Sequence, residues 1–279
     1  MPGPYGFELS DSCPTCRFRG NGFFCQLSPA ELEDLDAVKF VSAYPADAVL
    51  FREQQKPRGI YLLCEGQIKL SFTSREGKTL ILRIVNPGEI LGLLSALSGK
   101  SYEVTAMTLR PCQVAFVYGN DFQQFLRKHP AVFQCVASHL GLQYEAACER
   151  LRAVGLGASL AERLAKFLLN YSSERGTPQN RARFTLALSH EEIAEYIGTT
   201  RESVTRTLSA LRHRGLIGGH RSSLVIPDRR ALLEFAVRGA NASKVPPRLV
   251  RLKPPLRQLP APRISYSPWN QVASKRKGA

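Results

Sequence analysis

Three cysteines near the start of the sequence are spaced so that their thiolates could hold one metal centre. Cys13, Cys16 and Cys25 follow the pattern Cys-x2-Cys-x8-Cys. Short cysteine spacings of this kind are typical of iron–sulfur clusters and of structural zinc sites. Unrelated thiols would give the same pattern, so a cluster, a zinc ion and no metal all remain open at this point. The total of seven cysteines is odd, which argues against a disulfide framework.

Five side chains near residue 200 are of the types that read DNA bases. An arginine fork matches O6 and N7 of guanine, and a glutamate can accept a hydrogen bond from N4 of cytosine. Arg206 and Glu202 lie one helical turn apart, so together they could read both members of a G·C pair. In the alternative interpretation, Glu202 only caps a helix and Arg206 is a solvated charge. The candidate DNA-contacting residues are Arg201, Glu202, Ser203, Thr205 and Arg206.

The residues around this group predict the two short helices that would present it. Ser189 and Glu192 form a capping box that opens the first helix, and Gly198 ends that helix. A second capping box at residues 199–202 opens the next helix, whose apolar residues must face the domain: Val204, Leu208 and Leu211. Two short helices joined by a tight turn are typical of a helix-turn-helix, and residues 216–226 predict a β-hairpin wing. This context favours DNA binding over a solvated charge.

Between residues 40 and 118 the pattern changes to that of β-strands. Ile68, Leu70 and Phe72 alternate with polar residues, and residues 80–84 alternate again. Turn-forming residues such as Asn86-Pro87-Gly88 separate these runs. Short strands at this spacing predict a sandwich or barrel with one shared core.

A long amphipathic helix is predicted directly after this β region. From Pro130 onward a stripe recurs every three or four residues, comprising Val132, Val136, Leu140, Gln143, Ala147, Leu151 and Val154. Such a helix could bury its stripe against the β domain or against a second copy of the chain. Gly155 and Gly157 break the helix, and apolar residues from Leu160 to Leu168 begin another.

A known family shares the pattern of residues 188–206, which run Leu-Ser-His-Glu-Glu-Ile-Ala-Glu-Tyr-Ile-Gly-Thr-Thr-Arg-Glu-Ser-Val-Thr-Arg. The chain resembles the CRP/FNR family of bacterial transcription regulators over roughly residues 12–230. The resemblance implies an α+β fold: an N-terminal cyclic-nucleotide-binding-like β jelly roll, a long dimerisation helix and a C-terminal winged helix-turn-helix. The expected regions are a cysteine-containing loop (1–27), the β-roll sensor domain (28–128), the dimerisation helix (129–155), the DNA-binding domain (156–238) and a basic, proline-rich tail (239–279).

The resemblance also implies a function. Members of this family are homodimers that bind an inverted repeat in double-stranded DNA and contact RNA polymerase. Arg201, Glu202 and Arg206 fall on the family's base-reading positions. Thr205 falls where the anaerobic-regulator branch uses a hydroxyl.

That branch of the family carries three N-terminal cysteines and a fourth late in the roll, where Cys112 lies in this sequence. The likeness implies a [4Fe-4S] cluster that senses oxygen or redox state and is ligated by Cys13, Cys16, Cys25 and Cys112. The spacing from Cys16 to Cys25 is longer than in the best-known members. The other three cysteines lie in apolar strand or helix patterns and are expected to be buried: Cys64, Cys135 and Cys148.

The turn at which family members bind cyclic nucleotide is altered in this sequence. Residues 88–92 match the family's Gly-Glu-x-x-Gly turn, but Leu93 stands where the ribose-binding glutamate is expected. Glu103 lies in the region of the phosphate-binding Arg-Ser pair, and its carboxylate would repel a phosphate. Cyclic AMP is therefore not the expected ligand. A regulator that senses another small effector in the roll, without a cluster, remains the alternative.

Composition excludes several other classes of protein. An apolar content of 44% and a charged content of 22% are typical of a folded globular chain. No apolar run approaches the ~18 residues of a membrane-spanning helix. The first residues do not form a secretory signal, so a cytoplasmic protein without a membrane partner is expected. A cupin-like enzyme would need histidines and carboxylates inside the roll, and residues 40–118 contain no histidine, so no enzyme is expected.

The net charge of +15 is spread unevenly along the chain. From Ala240 onward there are nine cations, no acidic residue and seven of the 18 prolines. This composition predicts a disordered extension. The extension is either an arm that binds polyanions such as DNA or a solvated tail.

Overall fold

The computed structural model describes residues 27–155, 159–173, 181–220 and 223–238, together with Tyr5. Three of the predicted cluster ligands, Cys13, Cys16 and Cys25, lie outside the described residues, as does the basic tail at 239–279. Within the described part, no helix is long and apolar enough to cross a membrane.

The N-terminal half is a β roll built from two four-stranded antiparallel sheets. One sheet has the order β1-β8-β3-β6 and the other the order β2-β7-β4-β5. The strands are β1 (Lys39–Tyr44), β2 (Val49–Phe51), β3 (Gly59–Glu65), β4 (Ile68–Thr73), β5 (Thr79–Val85), β6 (Ile90–Leu91), β7 (Thr105–Thr108) and β8 (Cys112–Tyr118). Apolar side chains from both sheets, such as Leu63, Ile68 and Val114, meet in one core. The predicted β jelly roll is confirmed.

Four helices accompany the roll. They are α1 (Pro29–Val38), α2 (Leu93–Ser98), α3 (Gly119–Lys128) and α4 (Pro130–Gly155). Ser28 opens α1 with a capping box, in which the Ser28 amide donates to the Glu31 carboxylate over 2.7 Å. Leu32 and Leu35 of α1 pack with Phe122 and Phe125 of α3 in a second core on the outer side of the β1-β8-β3-β6 sheet. Helix α1 is thus held between the roll and α3.

The turn between β3 and β4 has no room for a side chain at position 66, so only glycine fits there. Gly66 has a φ of +102°, a conformation that L-residues other than glycine rarely adopt. A Cβ added there would lie 2.4 Å from the Sγ of Cys112 and 2.6 Å from the carbonyl oxygen of Pro111. The backbone of this turn therefore closes directly over the Cys112 thiol.

The long helix α4 divides its apolar residues between two surfaces. Val132 and Val136, the start of the predicted stripe, are 1% and 2% exposed because they pack against the chain's own roll. Leu140 packs against the same core. Of the two partners considered for the stripe, the chain's own β domain therefore covers the first half. A neighbouring face remains open, where Phe133 is 49% exposed and Tyr144 is 72% exposed.

The C-terminal domain is a three-stranded sheet with four helices. Its elements are α5 (Leu160–Ser173), β9 (Ala182–Thr185), α6 (His190–Ile197), α7 (Arg201–His213), β10 (Gly218–His220), β11 (Ser223–Ile226) and α8 (Arg229–Arg238). The sheet has the order β10-β11-β9, and β10 and β11 form the predicted wing hairpin. The apolar residues of α5, α6, α7 and α8 share one core with those of the sheet. The predicted winged helix-turn-helix is confirmed.

Candidate DNA interface and sensor cavity

Helix α7 presents one buried face and one exposed polar face. The predicted inward residues Val204, Leu208 and Leu211 are buried in the core of the C-terminal domain. The opposite face is polar, with four exposed side chains, Arg201, Glu202, Thr205 and Arg206, while Ser203 is half-buried beside them. The structure therefore brings all five predicted DNA-contacting residues to the first two turns of one helix.

The start of α7 is capped differently from the prediction. Thr200 is the N-cap, and its hydroxyl accepts a hydrogen bond from the Ser203 amide over 3.4 Å. Because Ser203 rather than a glutamate occupies the third helical position, the second capping box is not formed. The main-chain amide of Glu202 and the Thr200 hydroxyl lower the pKa of the Glu202 carboxyl. Glu202 is thus an exposed anion that can only accept hydrogen bonds.

Helix α6 fixes the position of α7. The predicted capping box at its start is present, with the Ser189 amide donating to the Glu192 carboxylate over 2.8 Å. Gly198 ends α6 in the left-handed conformation, with a φ of +69°. Ile193 and Ile197 of α6 lie in the same core as the buried face of α7. The two helices therefore form one rigid unit.

Contacts between α6 and the roll link this unit to the N-terminal domain. The Nζ of Lys69 on β4 lies 3.5 Å from a carboxylate oxygen of Glu195 and 3.7 Å from one of Glu192. The guanidinium of Arg150 on α4 lies 3.8 Å above the ring centre of Tyr196. These contacts join residues that are far apart in the sequence, and no sequence pattern predicted them.

A cavity of about 1060 Å³ opens between the roll, α4 and the C-terminal domain. Two glutamates on its roll side are already engaged: Glu89 accepts a hydrogen bond from Arg83, and Glu103 accepts one from the Ser95 hydroxyl over 3.2 Å. Leu93, at the position expected for a ribose-binding glutamate, is buried. The roll side of the cavity therefore carries the Arg83–Glu89 ion pair, with Glu103 and Leu93 at the positions where the family resemblance implies phosphate- and ribose-binding residues.

The opposite side of the same cavity carries cations. Arg150, Arg163 and Lys166 line it. The Nε atoms of Arg150 and Arg163 are buried and have no hydrogen-bond partner among the described residues. Burial lowers the pKa of Arg150, and the charge of Arg163 lowers it further, against the opposite effect of Tyr196. The positively charged guanidinium groups of Arg150 and Arg163 are therefore close enough to repel each other in a partly buried part of the cavity.

Cys112 is the one predicted cluster ligand that the structure describes, and its thiol is fully buried. Its Sγ lies 3.1 Å from the Arg110 carbonyl oxygen and 3.3 Å from that of Gln67, so the thiol donates to the backbone. Burial raises the pKa of the Cys112 thiol to about 11. A metal ligand must be a thiolate, so a cluster at this position would have to displace the proton of a buried thiol. The described residues contain no group of three or more metal-binding side chains.

One polar residue near the candidate DNA interface was not predicted from the sequence. His190, the first residue of α6, places its Nδ1 2.8 Å from the Thr205 hydroxyl. The two residues are fifteen positions apart and belong to different helices, so neither capping rules nor helical periodicity connects them.

Fold and interface together define the chain as a DNA-binding transcription regulator with a nucleotide-binding-like sensor domain. Residues 41–129 match the family model of the cyclic nucleotide-binding domain, and residues 162–235 match that of the Crp-like helix-turn-helix domain. The chain is 32% identical to the global nitrogen regulator of Synechococcus elongatus over 181 residues, which are 62% of this chain and 79% of that protein. The chain belongs to the CRP/FNR family.

Further comparisons agree with this assignment. The cAMP-activated global transcriptional regulator CRP of Salmonella typhimurium is 22% identical over 68% of this chain and 90% of its own length. The solved structure of FixK2 from Bradyrhizobium japonicum has the same fold, with a TM-score of 0.64, 23% identity, and coverage of 71% of this chain and 96% of FixK2. The Salmonella relative is a transcriptional regulator and the Synechococcus relative is a nitrogen regulator, in agreement with the expectation that the protein is not an enzyme.

We expect the Cys112 thiol to react slowly with alkylating agents. With a pKa of about 11, only about one thiol in a thousand is ionised at pH 8, and the thiolate is the reactive form. Cys135, which was predicted to be buried but is exposed, serves as the internal control. Timed iodoacetamide labelling followed by peptide mass spectrometry should show Cys112 lagging Cys135 by at least tenfold. Equal rates in the folded protein would mean that the Cys112 thiol is accessible and ionised.

Proposed function

We propose that the protein regulates transcription as a homodimer that binds an inverted repeat in double-stranded DNA, with α7 of each protomer in a major groove. The polar face of α7 is the observation that carries this proposal. Its exposed arginines and glutamate are the side-chain types that read base edges, and their helix is held rigidly by α6. A contact with RNA polymerase is part of the proposal by likeness to the family.

The open face of α4 supports the dimer. Its residues recur at intervals of three and four, which places them along one side of the helix: Phe133, Ala137, Gly141, Tyr144, Cys148 and Leu151. A Cβ added at Gly141 would meet nothing within 4 Å, so the helix surface is unobstructed there. A second copy of α4 packed against this face would bury large apolar side chains that are otherwise in water.

We expect Tyr144→Glu to convert the dimer into a monomer. Tyr144 is 72% exposed in the single chain, so the substitution costs the protomer little and instead places a charge in the proposed seam. Ser138→Glu, on another exposed part of α4, is the matched control and should remain dimeric. Sedimentation velocity on both variants measures the outcome. A dimeric Tyr144→Glu protein would place the dimer interface elsewhere.

The DNA-reading role of α7 is tested at Arg206. We expect Arg206→Ala to lose about 1–3 kcal/mol of discrimination at one G·C pair in each half-site, because the bidentate contact is lost. Arg206→Lys keeps the charge but not the fork, so it should lose the same discrimination while retaining affinity for random DNA. Fluorescence anisotropy with operators varied at each position measures both quantities. An equal loss for all sequences would assign Arg206 to a phosphate.

We further propose that the regulatory signal is a small anionic effector that binds in the cavity. Among the described residues, none of the three cations Arg150, Arg163 and Lys166 forms an ion pair with a carboxylate. On the roll side of the cavity, the Glu103 carboxylate would repel an anion. An anion between Arg150 and Arg163 would relieve the repulsion between them. Because these residues belong to α4 and α5, the anion would also bridge the two domains.

Inorganic phosphate is the probe for this anion site. We expect phosphate, compared with chloride at equal ionic strength, to raise the melting temperature of the wild type. A ligand at ten times its Kd stabilises by about 1.4 kcal/mol. Arg163→Gln should lose this response, whereas Arg152→Gln, which removes an exposed cation lining the same cavity, should retain it. The same response in Arg163→Gln as in the wild type would contradict the proposal.

An oxygen- or redox-responsive [4Fe-4S] cluster is the second candidate signal. The spacing of Cys13, Cys16 and Cys25 favours it. Cys112, the fourth ligand that the family resemblance implies, is buried beneath the Gly66 turn and would have to lose its proton to bind iron. Iron and sulfide counts on anaerobically purified protein, compared among the four single cysteine-to-serine variants, test both points.

A further inference from the structure

The hydroxyl of Thr205 already has two partners within the protein. Its Oγ1 lies 3.0 Å from the carbonyl oxygen of Arg201, one turn earlier in α7, to which it can donate its hydrogen. The same Oγ1 lies 2.8 Å from Nδ1 of His190. A hydroxyl has only one hydrogen, which goes to the Arg201 carbonyl when Nδ1 is protonated and donates, and to Nδ1 in the other tautomer. Thr205 therefore has no hydrogen left to donate to a base.

His190 is well placed to hold Thr205 in one orientation. It is the first residue of α6, directly after the Ser189 cap, so its backbone is fixed by the capping box. Helices α6 and α7 share one buried core, which fixes the distance between the two side chains. A threonine in a helix can adopt two χ1 rotamers, since its hydroxyl can bond to the preceding turn. The bond from His190 selects between them.

With its one hydroxyl hydrogen used inside the protein, the exposed Thr205 can offer a base its methyl group but no hydrogen-bond donor. In the major groove, only thymine displays a methyl group, and a threonine methyl is one of the groups that packs against it. We propose that Thr205 reads a thymine by methyl–methyl contact and that His190 is the positioning residue for this contact. The inference rests on the proposed entry of α7 into the major groove and adds a specificity-determining residue on α6.

A thymine-to-uracil scan tests the contact because it removes the methyl group and nothing else. An operator selected from random DNA by the wild-type protein is resynthesised with uracil at each thymine in turn. We expect one thymine per half-site at which uracil lowers the affinity by about fourfold, the value for one buried methyl group. Equal affinities for thymine and uracil at every position would overturn the methyl contact.

Two substitutions at Thr205 then separate the methyl from the hydroxyl. Thr205→Val has a methyl group at both γ positions, so it presents a methyl without the hydrogen bond to His190 and should retain most of the thymine-over-uracil preference. Thr205→Ser keeps the hydroxyl and removes the methyl, so it should lose that preference. The reverse pattern, with Ser retaining the preference and Val losing affinity for the operator, would show that the hydroxyl reads the base.

The role of His190 is measured by the ratio of the affinities for the thymine and the uracil operator, called here the thymine-to-uracil ratio. We expect His190→Ala to bring the thymine-to-uracil ratio close to one, with unchanged affinity for random DNA. His190→Asn, whose amide N–H can replace Nδ1–H, should restore part of the ratio. A full ratio in His190→Ala would overturn the positioning role. A wild-type protein with no sequence preference would overturn the proposed function itself, whereas selection of an operator without any uracil effect overturns only this inference.

Discussion

The architecture depends on the requirement that one helix, α4, pack against two different neighbours. Val132 and Val136 are buried in the roll, and each such side chain stabilises the folded chain by roughly 1.5–3 kcal/mol. Further along, Arg150 donates a hydrogen bond to the Ile81 carbonyl of the roll and stacks on Tyr196 of the C-terminal domain. The face with Phe133 and Tyr144 remains open. Helix α4, with its 26 residues, therefore contacts the roll and the C-terminal domain and carries the face proposed for the second protomer.

Local signals made the helix-turn-helix predictable from the sequence. Ser189 with Glu192 and the glycine at 198 determine where α6 begins and ends, and these signals act over only three or four residues. The spacing of Val204 and Leu208 likewise determined which side of α7 faces outward. The cap at Thr200 was the exception, because the reciprocal partner has to stand at the third helical position and Ser203 stands there.

Features that depend on distant residues were not predictable. A period of three and four residues shows that α4 has an apolar stripe, but not whether the roll or a second copy covers it. For the same reason, alternation along β8 gave no sign that the Gly66 turn closes over Cys112. The pairing of Lys69 with Glu195 joins residues 126 positions apart. Such contacts follow from how the completed domains fit together.

The charged side chains that line the cavity differ between its two sides. Glu103 is held by Ser95 on the roll side, whereas Arg150 and Arg163 lie on the helical side. An anion attracted by the arginines would contact α4 and α5 rather than the roll alone. The effector would then act where the two domains join.

The contacts between α6 and the roll affect how the two domains unfold. Glu192 both caps α6 and pairs with Lys69 of the roll, and Ile84 and Leu109 of the roll pack against the core of the C-terminal domain. Melting either domain would therefore expose apolar surface and unpaired charge on the other. Because these contacts join the two domains, we expect the domains to unfold together, so that loosening of the sensor and loss of the DNA-reading surface occur in one transition.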